Sequence, residues 1–183
     1  MNWFDNYFFG ILHGLAGKSA PGDFLIIFFG DYFLYVCLII FVYFAWRNRQ
    51  QQPKLYGLAI VSALIARFGV AEGIRLFYHR LRPFLALHTT HLLSDYAYSF
   101  PSGHTIFMFA LAAYTFYFNK KLSYFLLASG LVIGLARVAG GVHYPTDIFG
   151  GIVFGILTSL AVRAIVKLTN LGPIGYSSGF RRA

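Results

Sequence analysis

Apolar residues run along this chain in long stretches, and the polar residues gather at the breaks between them. A helix needs about 20 apolar residues to cross roughly 30 Å of hydrocarbon. Five stretches approach that length: Phe24 to Trp46, Leu55 to Phe77, Gly103 to Phe118, Leu122 to Ala139 and Thr146 to Leu168. The third and fourth are short and need help from flanking residues. A further apolar and aromatic segment, Trp3 to about Leu15, would rise only about 20 Å as a helix, so it either lies in the interface or forms a stunted first span. The pattern predicts an all-α integral membrane helical bundle with five to six transmembrane helices. It includes a short N-terminal apolar helix over 3–16 and ends in a mobile, Gly- and Ser-rich tail over about 172–183. No polar linker divides the spans, so residues 1–183 are expected to form a single membrane-embedded domain.

Composition agrees: 58% of residues are hydrophobic, 11% are charged and the mean hydropathy is +0.64, far from a soluble domain. The formal charge of +9 does not point to nucleic acid, because the Lys and Arg residues punctuate apolar runs instead of covering a polar face. Cys37 stands alone, which excludes an intrachain disulfide and a cysteine-based metal site. Asp5 and the lack of a basic leader argue against a cleaved signal peptide. Cationic residues mark cytoplasmic loops, and three groups share one side by parity: Arg47, Arg49 and Lys54; Lys120 and Lys121; and Lys167, Arg181 and Arg182. The opposite, non-cytoplasmic side receives the segment from about Tyr78 to Ser102 and the turn around Gly140 to Pro145. Arg80 and Arg82 lie there against the rule and need another explanation. The spaced pairs Gly130/Gly134 and Gly151/Gly155 let helices approach closely, though glycine is also common in spans.

Three polar constellations converge on that non-cytoplasmic side. Arg75 and Arg82, seven residues apart before Pro83, return to nearly one helix face if the helix persists, and guanidiniums bind phosphate oxygens through paired donors. Interfacial snorkelling would explain either arginine alone. In Pro101-Ser102-Gly103-His104, Ser102 is an N-cap residue, Gly103 admits a ligand to the backbone, and free amides at a helix start attract anions. Arg137 precedes His143 by six residues, and Asp147 follows His143 by four in the opening turn of a helix that Pro145 begins. A carboxylate there can accept one imidazole N–H and leave the other nitrogen free to attack. A His/Asp pair of this kind is also a common structural hydrogen bond.

These residues resemble the signatures of the type 2 phosphatidic acid phosphatase superfamily: a basic residue, six residues and Arg-Pro; then Pro-Ser-Gly-His; then Arg, five residues, His, three residues, Asp. All three occur in order between Arg75 and Asp147. The resemblance implies a bundle of about six helices and a metal-independent lipid phosphatase without a cofactor. In it, His143 forms a phosphohistidine oriented by Asp147, and His104 protonates the departing oxygen and later helps activate water. Arg75, Arg82, Arg137, Ser102 and the Gly103 amide would hold the phosphoryl oxygens. Arg75 stands where lysine is common, and Ala136 where serine often precedes the arginine. The implied partners are a lipid phosphate or diphosphate and the surrounding membrane lipids, with undecaprenyl diphosphate preferred and phosphatidylglycerophosphate or phosphatidic acid as alternatives. The expected place is a bacterial cytoplasmic membrane with an extracytoplasmic site. An anion-binding or transport protein is the reading of another class, and oligomeric state is not legible.

Several polar residues fall outside these roles. His88 and His91 have metal-like spacing but no third ligand nearby except Asp95, so ordinary loop residues or headgroup contacts are favoured. His79 and Arg80 can add positive charge to the entrance. Asp31 and Arg67, inside spans, are expected to pair structurally across helices, and Glu72 has Arg75 as its regular helical neighbour at three residues, with Arg67 off register at five.

Overall fold

The structure, a computed structural model, describes residues 3–95 and 98–169, so the expected tail over about 172–183, with Arg181 and Arg182, lies outside the described residues. Those described form helices and connecting turns, with no strand among them: α1 Trp3–His13, α2 Ala20–Arg47, α3 Pro53–Phe77, a single turn α4 Pro83–Ala86, α5 Gly103–Thr115, α6 Lys120–Ala139 and α7 Pro145–Leu168. Helix starts follow local chemistry. Pro21, Pro53, Pro83 and Pro145 occupy first-turn positions, the Ser19 hydroxyl accepts from Gly22 N, and the Asn119 side chain accepts from Leu122 N. Both α2 and α3 contain a π-helical stretch, at Phe28–Tyr32 and Ile65–Ala71.

The four helices α2, α3, α6 and α7 are long and apolar enough to cross a membrane. Large apolar side chains such as Ile39, Phe68, Phe77, Phe149 and Leu168 are exposed around them, as lipid contact requires. The segment expected to span from Gly103 to Phe118 is helical only to Thr115, 13 residues with ten buried. It is the centre of the bundle, packed most heavily on α7 and about equally on α6 and α3. Small residues make that packing possible: a Cβ on Gly155 would stand 2.6 Å from the Ile106 carbonyl oxygen, and one on Gly151 3.1 Å from Ile106 N.

One end of the bundle carries Arg47, Lys54, Lys120 and Lys167, and contacts between Tyr56 and Phe118 and between Arg163 and Tyr117 gather these helix ends. At the other end, α1 is neither a full span nor separate from the bundle. Its 11 residues rise about 16 Å, Phe9 packs with Val138 and Ile148, and His13 Nδ1 lies 3.0 Å from the Ala139 carbonyl oxygen.

Candidate active site

Local backbone rules place His143. Helix α6 ends at Gly140, and Gly141 takes the left-handed conformation at φ +86. The Gly141 amide donates to Val138 O and the Val142 amide to Arg137 O, the paired bonds of a Schellman motif. A glycine is needed there on a second count, since a Cβ would stand 3.0 Å from the Thr90 carbonyl oxygen. The cap fixes Arg137 on the last turn of α6 and His143 just beyond it. Tyr144 then opens α7, and Asp147 in the first turn accepts from the Tyr144 amide at 2.8 Å. Ser102 begins α5, but its hydroxyl accepts from Thr105 Oγ1 at 3.1 Å instead of capping the helix amides, which leaves that N-terminus suited to an anion.

The three constellations meet. The Ser102 amide donates to Asp147 O, Arg75 Nη2 donates to Pro101 O at 2.9 Å, and Arg82 Nη1 donates to Val142 O at 2.8 Å. Arg82 Nη1 also lies 3.4 Å from His143 Nε2, and His143 Nδ1 lies 3.4 Å from Asp147 Oδ2. The latter separation is long, and Nδ1 makes no hydrogen bond among the described residues; such pairs commonly tighten only with substrate bound. Arg75, Arg82, Ser102, Gly103, Arg137, His143 and Asp147 are all buried, and His104 is half-buried. Burial, then the charges of Arg137 and Arg82, hold the His143 imidazole well below the usual histidine range, so it is uncharged at neutral pH. Burial also lowers Arg82, to about 10.

Acidic partners surround these arginines. Asp95 Oδ2 accepts from Arg82 Nη2 at 2.8 Å and from Arg137 Nη2 at 2.9 Å. Burial would raise that carboxyl, but Arg82 and Arg137 together pull it below the ordinary range. Asp31 Oδ1 accepts from Arg137 Nη1 at 2.9 Å, so Asp31 pairs with Arg137 and not with Arg67. Arg67 instead pairs with Glu72, whose Oε1 also accepts from Arg75 Nη1 at 2.8 Å. The five-residue separation judged off register works because the π-helical stretch closes its turns five residues apart. The Nε atoms of Arg75 and Arg137 are buried without a hydrogen-bond partner among the described residues, leaving donors for oxygens of a ligand.

Sequence reasoning undervalued Arg80 and Asp5. Arg80 Nη1 donates to Asp147 Oδ1 and Nη2 to Asp5 Oδ2, both at 2.6 Å, with the guanidinium 4.2 Å from the centre of the Tyr144 ring. Asp5 also accepts from the Thr146 amide and hydroxyl. The one available signal was an acid on an apolar helix together with an arginine that violated the charge rule. His91 stacks on Phe84, with ring centres 4.3 Å apart, and Asp95 is engaged by arginines, so the His88, His91 and Asp95 donor set is not assembled. No three His, Cys, Asp or Glu side chains among the described residues are placed to hold a metal ion.

Comparison with known proteins adds kinship. A family model described as the PAP2 superfamily matches residues 55–170. The chain is 30% identical over 154 residues to undecaprenyl-diphosphatase BcrC of Bacillus subtilis, covering 81% of this chain and 77% of that protein. The fold is shared with Aquifex aeolicus LpxE (TM-score 0.71, 21% identity, 87% of this chain and 94% of that one). It is shared too with a transmembrane PAP2-type phosphatidylglycerolphosphate phosphatase from Bacillus subtilis (TM-score 0.68, 18% identity, 99% of this chain and 90% of that one).

Proposed function

The chain belongs to the PAP2 superfamily and is an integral membrane lipid phosphatase, and on that footing we propose that it converts undecaprenyl diphosphate to undecaprenyl phosphate through a phosphohistidine on His143. The observation that carries this reading is His143 itself: a buried imidazole with Nδ1 toward Asp147 and Nε2 beside Arg82. His143 Nε2 attacks the terminal phosphorus in line, Asp147 holds the other ring nitrogen, and His104 gives its proton to the departing oxygen and then takes one from the attacking water. Arg75, Arg82, Arg137, Ser102 and the Gly103 amide hold the phosphoryl oxygens. Neutralisation of developing charge by fixed cations performs here the work that a metal performs elsewhere, so the reaction needs no metal.

The diphosphate is preferred over phosphatidylglycerophosphate or phosphatidic acid because a relative that is 30% identical over 81% of the chain is named an undecaprenyl-diphosphatase. Residues 1–183 act as one membrane-embedded domain. Its site faces the extracytoplasmic side of a bacterial cytoplasmic membrane, opposite Arg47, Lys54, Lys120 and Lys167. The test is phosphate release in detergent with EDTA present, comparing the three lipids and His143→Ala. Release from the diphosphate that survives EDTA, vanishes in the variant and leaves an acid-labile, labelled histidine after quenching is the expected result. Activity retained in His143→Ala would overturn the nucleophile, and no release from any lipid would favour anion binding or transport.

A further inference from the structure

Arg67 belongs to none of the three motifs, yet it borders two of them. A Cβ placed on Gly103 would stand 2.6 Å from Arg67 Nε and 3.1 Å from its Cζ, so the guanidinium fills the space that the missing side chain leaves at the start of α5. Through the shared Glu72 Oε1 it is also held next to Arg75. The π-helical stretch Ile65–Ala71 makes this possible by bringing Arg67 over Glu72.

The surroundings indicate what meets Arg67. Its side chain is 29% exposed, unlike the sealed guanidiniums of Arg82 and Arg137, and it lies against the Phe68 ring at 5.1 Å. Leu64, Ile65 and Phe68 beside it are exposed apolar residues, a wall suited to an isoprenoid chain. A cation inside a span requires a partner; Glu72 is that partner, and Glu72 is shared with Arg75. Arg67 Nε and Nη2 make no hydrogen bond to any described residue.

We propose that Arg67 reads the second, lipid-linked phosphate of a diphosphate substrate. The inference rests on the reading above, in which the terminal phosphate lies among Arg75, Arg82, Arg137 and the Gly103 amide. The Nε2–P bond then forms as the bond from the terminal phosphorus to the bridging oxygen breaks. The electron pair goes to that oxygen, which takes the proton of His104, and the lipid monophosphate leaves beside Arg67. Water attacks the phosphohistidine, returns a proton to His104 and releases inorganic phosphate. A phosphomonoester has no group at the Arg67 position and gains nothing from it.

The test compares kcat/KM for farnesyl diphosphate and farnesyl monophosphate, which share one tail, in wild type, Arg67→Lys and Arg67→Gln. The expected result is a fall of about 10-fold or more in the diphosphate-to-monophosphate ratio for the glutamine variant, with partial recovery of the ratio by lysine. An equal loss on both substrates would overturn the proposal. Should Arg67→Gln fail to fold, the double variant Arg67→Gln/Glu72→Gln removes both charges of that pair and keeps an amide oxygen at 72 to accept from Arg75. In it, the preference for inorganic pyrophosphate over orthophosphate as inhibitor should collapse, and a preserved preference counts against Arg67. A wild type inactive on both farnesyl lipids would defeat the phosphatase reading itself, whereas one active on the monophosphate alone would defeat only the role of Arg67.

Discussion

Asp95 puts its carboxylate in the fork between Arg82 and Arg137, on guanidinium nitrogens that phosphate oxygens would use. It neutralises two buried cations, and under the proposed mechanism a phosphoryl group must compete with it. Asp95→Asn should therefore lower the inhibition constant of orthovanadate, a phosphate mimic, by about 10-fold, while lowering the melting temperature without the anion. The check is a vanadate titration of activity with a parallel melting curve in detergent. Weaker vanadate binding would mean that Asp95 shapes the arginines for phosphate instead of opposing it. That competition was not legible in the sequence: Asp95 stands 42 residues from Arg137, and a carboxylate in an outer loop carries no mark of the guanidiniums it will meet.

At the scale of elements, the legible parts are those fixed by short-range backbone chemistry. The spacing from Arg137 to His143 is the length of a Schellman cap, and that from His143 to Asp147 is one turn at the start of a proline-initiated helix. Both could be read from a dozen consecutive residues. What needed the structure was rotational phase and depth. An ideal helix separates Arg67 from Glu72, and the π-helical stretch rejoins them; the Gly103 segment, read as a short span needing help from its flanks, is enclosed by the other helices. That enclosure depends on small residues, so Gly155→Ala, whose new methyl would meet the Ile106 carbonyl, should destabilise the protein by about 1–3 kcal/mol through overpacking. Thermal or denaturant unfolding in detergent checks this, and an unchanged stability would show that α5 and α7 can slide apart at no cost.

Over the whole molecule, five of the six acidic residues are committed to arginines: Asp5, Asp31, Glu72, Asp95 and Asp147 pair with Arg80, Arg137, Arg67, Arg75 and Arg82. Such pairing lets a protein hold many charges at the edge of a bilayer, and in the proposed orientation Arg47, Lys54, Lys120 and Lys167 at the opposite end face the cytoplasm. A membrane-impermeant maleimide applied to intact cells should accordingly label Ser94→Cys but not Lys54→Cys until the cells are permeabilised. Cys37 is fully buried and supplies little background, and the reverse labelling pattern would invert the topology. The Asp5–Arg80–Asp147 clasp also bears on how the protein is made. It joins α1 to α7, so after Arg80 is made a further 67 residues must follow before its second carboxylate, Asp147, is present. Under the proposed mechanism a nascent chain lacking α7 has no Asp147 to orient His143, which restricts catalysis to molecules in which α7 is in place.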